Sequence, residues 1–322
     1  MMKEDLLLGN HTICKDLSQQ RKRRKKNIRK TLLILSFIAP ALLFYLTFIV
    51  FPVGESIVLS FFKVKIFARK ATYEFIGFEN FRTLFADEVF WKAAKNTVIW
   101  AFASPLLEIP IALLLAYVLH SGVRRNAFFR VAWFAPVLFP AVVVGIIWSW
   151  IYNSQWGLLN AILETLHLGA LIHPWLGDPA TALPSLIVTS SWMWTGFNMV
   201  ILLAAISSIP KDVFEAGRID GASNSTTIFQ IVIPMIRPTI INLMILCFVG
   251  KMKVFDLIWA TTQGGPMWAT ETVATYTVKR AFFWGTFEKG YPSAMATFWF
   301  FIILAVSIVA TIALQRKESL EY

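Results

Sequence analysis

Long apolar stretches, separated by short polar ones, run through most of this chain. Six of them are long enough for an α-helix to cross the hydrocarbon core of a bilayer, which takes about 20 residues. They are Thr31–Val53, Thr97–Leu119, Phe129–Ile151, Leu183–Ile206, Thr239–Ala260 and Ser293–Leu314. Each span must satisfy its own backbone hydrogen bonds in lipid, and the apolar character is continuous rather than alternating. The pattern therefore predicts an all-α integral membrane protein with six transmembrane helices.

The segment from Phe78 to Trp91 has a different pattern. Its apolar residues recur at helical spacing, with polar and charged residues between them. This pattern is typical of a helix that lies on a surface. We predict that the segment covers the outer end of the transmembrane helices.

Composition agrees with a membrane protein. Hydrophobic residues make up 57% of the 322 residues and charged residues 15%, which is more apolar surface than a soluble domain of this size can bury. The two cysteines, Cys14 and Cys247, lie far apart in unlike surroundings, so no disulfide framework is expected.

Basic residues give the chain its orientation. Much of the formal net charge of +11 comes from residues 21–30, directly before the first span. Further basic residues follow the second span and the last one: Arg124, Arg125, Arg130, Arg316 and Lys317. The positive-inside rule therefore predicts a basic cytoplasmic segment at 1–30, a six-helix domain at 31–322 and both termini in the cytoplasm.

Four basic residues after the first span oppose this orientation: Lys63, Lys65, Arg69 and Lys70. The N-terminal segment carries more charge and comes first, so it decides the prediction. No nucleic-acid-binding motif accompanies the positive charge, and contact with anionic membrane lipid explains it better than binding of nucleic acid.

The loop at 208–238, between the fourth and fifth predicted spans, is unusually polar. Pro210 suits the start of a helix and Gly221 suits its end. A second short helix can begin at Ser223 or Asn224. We therefore predict a small folded element with little side-chain bulk, which another protein could approach closely.

This loop resembles the cytoplasmic "EAA" loop of permease subunits in binding-protein-dependent ABC importers, in the form found in carbohydrate importers. The matching residues are Glu215, Ala216, Asp220, Gly221, Ala222, Phe229, Pro234 and Pro238. Gly217 stands where that form has its second alanine. The stretches FIGFENFRTLF, NTVIW and VFDLIWATTQGGP are also similar to the first permease subunit of that group, so the resemblance covers nearly everything after Thr31.

The resemblance implies a type I importer permease, with a cytoplasmic coupling helix between its fourth and fifth transmembrane helices. It implies that the chain lies in the bacterial cytoplasmic (inner) membrane and has four kinds of partner: a second homologous permease, two copies of a cytoplasmic ATPase, an extracytoplasmic solute-binding protein and membrane lipid. The binding protein is expected to touch the loop at 152–182 and the turn at 262–268.

The resemblance also assigns the chemistry. The ATPase would use ATP and Mg; this chain lacks a G-x-x-x-x-G-K-[ST] motif, so we expect it to bind no cofactor or metal and not to be an enzyme. The residues implied in coupling to the ATPase are Glu215, Ala216, Gly217, Asp220 and Gly221. Glu215 would face a basic residue of the ATPase.

Ionisable residues within a predicted span are costly and often mark a transport pathway. Lys253 and Asp256 are three positions apart and can pair on one helix face, and we favour a structural ion pair over a role in substrate binding. Lys251 points away from Lys253, and it either extends to the membrane surface or lines the pathway.

In the family, the middle of the fourth and fifth spans contacts the sugar. The implied pathway residues are Trp194, Phe197, Asn198, Lys251 and Val254. Aromatic faces can stack on sugar rings, and the Asn198 amide can bind hydroxyl groups. A cation at Lys251 would favour an acidic oligosaccharide, such as a uronate oligomer.

Two other classes of protein are less compatible with the sequence. An enzyme embedded in the membrane is disfavoured, because the four histidines form no H-E-x-x-H motif and G-x-S-x-G is missing. An ion-coupled secondary transporter of sugars fits six helices and charges within the membrane, but it leaves the loop at 208–238 unexplained.

Overall fold

The computed structural model describes residues 30, 33–67, 70–122, 126–284 and 288–318. The predicted basic segment at 1–30 lies outside these residues except for Lys30, and so do Arg69, Arg124 and Arg125. The chain divides into two compact units, Met1–Val58 and Leu59–Tyr322. The first helix makes up nearly all of the described part of the first unit, and all features discussed below belong to the second.

Helices dominate the structure. In chain order they are α1 (Leu33–Leu59), α2 (Glu79–Ala86), α3 (Glu88–His120), α4 (Asn126–Phe134), α5 (Ala141–Ile151), α6 (Leu158–Thr165), α7 (Pro179–Ser207), α8 (Lys211–Ile219), α9 (Asn224–Met235), α10 (Arg237–Lys251), α11 (Asp256–Thr261), α12 (Val273–Val278) and α13 (Gly290–Glu318). Short 3₁₀ turns lie at Ala135–Leu138 and Gly169–Leu171, and α12 continues into a π-helical turn at Lys279–Phe283. The predicted helical class is confirmed.

One β-hairpin adds to the predicted all-α class. Strand β1 (Phe62–Phe67) pairs antiparallel with β2 (Lys70–Phe75), and Phe62 lies opposite Phe75. The run Lys63-Val64-Lys65 alternates polar and apolar residues, which is the two-residue period of a strand. Val64 is buried, and its carbonyl accepts from the Lys289 N–H at 3.1 Å, so the hairpin packs at the start of α13.

Among the described residues, four helices are long and apolar enough to cross a membrane: α1, α3, α7 and the part of α13 at Gly290–Ile312. Up to six spans result if two bent pairs each count as one. The first pair is α4, with its 3₁₀ turn, and α5, bent by 100°; the second is α9 and α10, bent by 74°. The exact number of six spans therefore stays a prediction.

The third and fifth predicted spans are both interrupted, so neither is one continuous helix. Pro136 and Pro140 lie at the bend before α5, where the missing N–H and the ring of proline oppose a continuous helix. The predicted fifth span crosses α10, a non-helical break at residues 252–255, and α11. The chain therefore leaves the helix at Lys251, near the middle of the predicted span.

The segment from Phe78 to Trp91, predicted to be a surface helix, is not one continuous helix. The segment divides at Asp87, whose side chain accepts from the N–H groups of Val89 and Phe90 and so caps the start of α3. Leu84 and Phe90 are completely buried. One face of the segment therefore packs against the protein, while Phe78 and Phe85 are exposed.

Asp87 also fixes the start of α3 against two other helices. Its Oδ2 accepts from the hydroxyl groups of Tyr276 on α12 at 2.7 Å and Tyr291 on α13 at 2.5 Å. Burial raises the pKa of the Asp87 carboxyl, but the hydrogen bonds from Tyr291, Tyr276 and the two N–H groups outweigh it and hold the pKa below its usual value.

The core that positions the functional regions is built on α3 and α7, which pack along each other. One buried apolar cluster joins these two helices to α9 and α10, and side chains of α8 pack against it. The loop at 208–238 is therefore attached to the ends of the two central helices.

Candidate functional site

The loop at 208–238 contains the short helix that the sequence predicts, α8. At its C-terminus Gly221 has a φ of +75°, in the left-handed region that favours glycine. The Gly221 N–H donates to the Arg218 carbonyl at 3.1 Å, and the Ala222 N–H donates to the Gly217 carbonyl at 2.9 Å. This pair of bonds is the Schellman motif, which stops a helix and satisfies its last carbonyls.

The next helix, α9, begins immediately after this stop. The Ser223 hydroxyl accepts from the Thr226 N–H at 3.2 Å and caps α9, as the sequence predicts. The Tyr117 hydroxyl near the end of α3 donates to the Asn224 side chain at 3.3 Å. The loop is therefore folded and held against α3.

Helix α8 has an inner and an outer face. Val213, Phe214 and Gly217 are half-buried, and the Phe214 ring lies 5.1 Å from the ring of His120, the last residue of α3. The exposed residues are Glu215, Ala216, Arg218 and Ile219 in its C-terminal half, and Asp220 and Gly221 directly after it. The outer face thus carries four of the five predicted coupling residues.

The fifth predicted coupling residue, Gly217, faces inward. A Cβ at this position would lie 2.9 Å from Cδ1 of Ile231 on α9. The glycine that replaces the alanine of the family pattern thus leaves room for this side chain. Its place in the structure indicates packing between α8 and α9.

A second candidate region lies where α3, α7 and α10 meet. Lys251 Nζ is 2.5 Å from Glu108 Oε1 and donates to Ser190 Oγ at 2.7 Å. Glu108 is completely buried, and Lys251 is 8% exposed. The Asn198 amide, also buried, donates to Glu108 Oε2 at 3.3 Å. These four residues form a hydrogen-bonded group inside the protein, which we call the buried polar network.

A cavity of about 460 Å³ adjoins the buried polar network. The rings of Trp194 and Phe197 line it, in edge-to-face contact with centroids 5.9 Å apart. Lys251 Nζ lies 5.5 Å from the centroid of the Trp194 ring. The volume and the apolar lining with a few polar groups are typical of a site for a small molecule.

Four of the five predicted pathway residues line this cavity: Trp194, Phe197, Lys251 and Val254. The fifth, Asn198, does not line the cavity. Its amide donates to Glu108, which does line the cavity. The structure thus brings the five predicted residues to one place.

The predicted ion pair between Lys253 and Asp256 is wrong. No ion pair joins the two residues in the described part of the chain, and both are exposed on the wall of the cavity. The prediction assumed a continuous helix, in which residues three apart share a face. The break at 252–255 removes that geometry.

Sequence reasoning missed Glu108, the partner of Lys251. The two residues are 143 positions apart, so no local spacing links them. The available signal was a carboxylate in the middle of the apolar stretch Thr97–Leu119, since a charge there normally has a partner.

A further ion pair fixes the turn at 262–268, which is predicted to touch a binding protein. Glu271, completely buried, pairs with Lys279, whose Nζ lies 5.1 Å from the centroid of the Trp268 ring. The Asn96 amide donates to the carbonyls of Trp268 and Glu271, both at 3.0 Å. Met267 is 77% exposed at the tip of this turn. The turn is therefore fixed by these contacts and has an exposed apolar tip.

Comparison with known proteins identifies relatives across most of the chain. The family model described as "Binding-protein-dependent transport system inner membrane component" matches residues 108–317. The probable ABC transporter permease protein YurN of Bacillus subtilis is 35% identical over 275 residues, which cover 85% of this chain and 92% of YurN. The diacetylchitobiose uptake system permease protein NgcF of Streptomyces coelicolor is 31% identical over 299 residues, covering 89% of this chain and 82% of NgcF.

A solved structure is similar over nearly the whole length. It is the crystal structure of a bacterial ABC transporter involved in the import of the acidic polysaccharide alginate, in which one chain is 25% identical. The match covers 91% of this chain and 99% of that chain, with a TM-score of 0.75. The region matched by the family model, 108–317, contains the buried polar network and the loop at 208–238.

Proposed function

This chain belongs to the family of inner membrane components of binding-protein-dependent transport systems, and on that basis we propose that it is the permease subunit of an ATP-driven sugar importer. It forms part of the translocation pathway for an oligosaccharide that a solute-binding protein delivers. NgcF, 31% identical, is named for diacetylchitobiose uptake, and the similar solved structure is an alginate importer. These relatives support a sugar as the cargo.

The observation that carries the proposal is the cavity beside the buried polar network. Trp194 and Phe197 present aromatic faces, while Lys253 and Asp256 provide exposed charged groups on its wall. Aromatic faces stack on the apolar faces of sugar rings, and the polar groups can bind hydroxyl groups. The volume of about 460 Å³ suits part of an oligosaccharide in one permease subunit.

The energy source in this proposal is a cytoplasmic ATPase, of which two copies bind the importer and use ATP and Mg. The outer face of α8 is the contact, with Glu215 toward a basic residue of the ATPase. Its support is the family loop, the exposure of Glu215, Ala216, Asp220 and Gly221, and the attachment of the inner face to α3. The chain lies in the bacterial inner membrane with both termini in the cytoplasm, beside a second homologous permease.

The finer proposal is that the solute is an acidic oligosaccharide, such as a uronate oligomer. The alginate importer supports it, and so does Lys253, an exposed cation on the cavity wall for which the described residues supply no ion-pair partner. Lys251 does not support it, because Glu108 neutralises its charge. Lys253→Gln is expected to lower uptake of an alginate trisaccharide about tenfold, whereas Asp256→Asn, the matched change of opposite sign, is expected not to lower it.

Reconstitution tests the function as a whole. The chain is co-purified with the second permease, the ATPase and the binding protein, and ATP hydrolysis and sugar uptake are measured in proteoliposomes. We expect sugar-loaded binding protein to stimulate ATP hydrolysis and uptake to require ATP. Uptake driven by an ion gradient without ATP would overturn the proposal in favour of a secondary transporter.

The coupling role of α8 has its own test. Glu215→Arg places a positive charge where the ATPase is proposed to present one, so the ATPase should no longer co-purify. Lys211→Glu, a charge reversal at the other end of the same exposed helix, is the control for charge change alone. A complete Glu215→Arg complex with full transport would contradict the coupling role.

A further inference from the structure

The ammonium group of Lys251 already has hydrogen-bond partners within the protein. This group has three donors, of which one meets Glu108 Oε1 at 2.5 Å and another meets Ser190 Oγ at 2.7 Å. Nζ also lies 5.5 Å from the centroid of the Trp194 ring. A carboxylate of a solute would therefore compete with Glu108, which is completely buried and pairs with the ammonium group inside the protein.

Glu108 also has a hydrogen-bond partner besides Lys251. Its second oxygen accepts from the Asn198 amide at 3.3 Å, and Asn198 in turn accepts from the thiol of Cys247 at 3.5 Å. The buried polar network thus links α3, α7 and α10 through side chains that lie deep in the protein. A charge pair of this kind is costly in a membrane unless its members are fully matched.

The location of Lys251 connects the buried polar network to the wall of the cavity. Lys251 is the last residue of α10, and the chain then continues through the break at 252–255. Lys253, Val254 and Phe255 in this break all line the cavity. The position of the Lys251 side chain therefore determines where one wall of the cavity begins.

We propose that Glu108 is a positioning residue for transport: it neutralises Lys251 and fixes the end of α10, so that Lys251 shapes the cavity and does not select the charge of the solute. This inference rests on the proposed function and deepens it. It assigns Lys251 to the protein scaffold and leaves Lys253 as the residue that meets an acidic group. Acidic and neutral sugars should then depend equally on the Glu108–Lys251 pair.

The test compares single and compensating substitutions in the full complex. The variants are Glu108→Gln, Lys251→Met, the double variant with both, and the exchange Glu108→Lys with Lys251→Glu; Lys95→Met, which removes an exposed lysine of α3, is the matched control. Uptake of diacetylchitobiose and of an alginate trisaccharide is measured for each. A second readout is the rate at which N-ethylmaleimide modifies Cys247, which lines the cavity, in a Cys14→Ser background.

In each single variant one charge stays buried without its partner. We therefore expect uptake of the transported sugar to fall about tenfold or more. The rate of Cys247 modification should change by a similar factor. The double variant should return both readouts to within about threefold of the wild type, since no unpaired charge remains. If the single variants do not assemble, the double variant and the exchange still decide the question, because the proposal requires the double variant to assemble.

Other results overturn the proposal. A Lys251→Met complex that loses only the acidic sugar, with an unchanged Cys247 rate, would make Lys251 a substrate-binding cation. A double variant that is as impaired as the single variants would show that the charges act independently. If ATP drives no sugar uptake by the wild-type complex, the proposed function fails, while the Cys247 rates still report whether Glu108 positions Lys251.

Discussion

The outer face of α8 and the buried polar network both depend on acidic side chains, but in opposite surroundings. Glu215 on α8 and Asp220 directly after it are exposed, in one short run of sequence. Glu108 is completely buried and meets a lysine 143 positions away. The exposed carboxylates are available to another protein, whereas the buried one is committed to its own chain.

The difference should separate stability from function. Exposed charges contribute little to folding, about 0–1 kcal/mol for a pair, because water solvates them well. A buried charge that loses its partner costs about 3–5 kcal/mol. Substitutions in the network should therefore damage the fold first, and substitutions on α8 should damage assembly while the fold persists.

Lys251→Ala should have the largest effect. It leaves the Glu108 carboxylate in a site without solvent and without its cation, so we expect the free energy of unfolding to fall by about 3–5 kcal/mol. The measurement is thermal unfolding of the purified chain in detergent, with Lys95→Ala on α3 as the control. An unchanged unfolding temperature would mean that the buried pair is not needed for the fold. The expected difference in stability between the buried polar network and α8 would then be wrong.

The same contrast explains what could be predicted from the sequence. The ends of α8 follow from local signals, Pro210 before it and Gly221 after it, and Ser223 marks the next cap. Trp194, Phe197, Lys251 and Val254 were predicted for the pathway from the family pattern, and they line one cavity.

The errors have a common cause in contacts that a single sequence does not display. Glu108 was missed because its partner is distant in sequence. The pair of Lys253 and Asp256 was wrongly predicted because the apolar stretch gave no sign of the break after Lys251. Tertiary contacts support that break: the Trp299 indole donates to the Met252 carbonyl at 3.0 Å, and the Thr272 hydroxyl donates to the Val254 carbonyl at 3.2 Å.

Gly221→Ala should have the next largest effect, and it tests the structure of the loop at 208–238 alone. A side chain is disfavoured at a φ of +75°, by about 1–2 kcal/mol. Gly169→Ala is a matched control, because neither glycine has an atom within 4 Å of the added Cβ and only Gly221 has a positive φ. Hydrogen exchange of the α8 amides should accelerate in the first variant alone. Equal exchange in both variants would show that the helix stop is not fixed by this glycine.

Ser223→Ala should have a smaller effect, confined to the start of α9. The substitution removes the hydroxyl that accepts from the Thr226 N–H, which should cost about 1 kcal/mol. Ser208→Ala, at the beginning of the same loop, removes a hydroxyl that only donates to a carbonyl, that of Ala205. Hydrogen exchange at Thr226 should rise in Ser223→Ala and stay constant in Ser208→Ala; a rise in both would indicate general loosening of the loop.

Glu215→Ala should have the smallest effect on stability and gives the sharpest form of the comparison. Glu215 is exposed and has no ion-pair partner among the described residues, so its removal should change the free energy of unfolding by less than about 0.5 kcal/mol. Glu164→Ala, on the exposed surface of α6, is the control and should be equally neutral. The two variants should differ only when the ATPase is added, because Glu215 lies on the proposed contact and Glu164 does not. If both variants bind the ATPase as the wild type does, the Glu215 carboxylate does not contribute to ATPase binding. The contrast with Glu108 would then rest on stability alone.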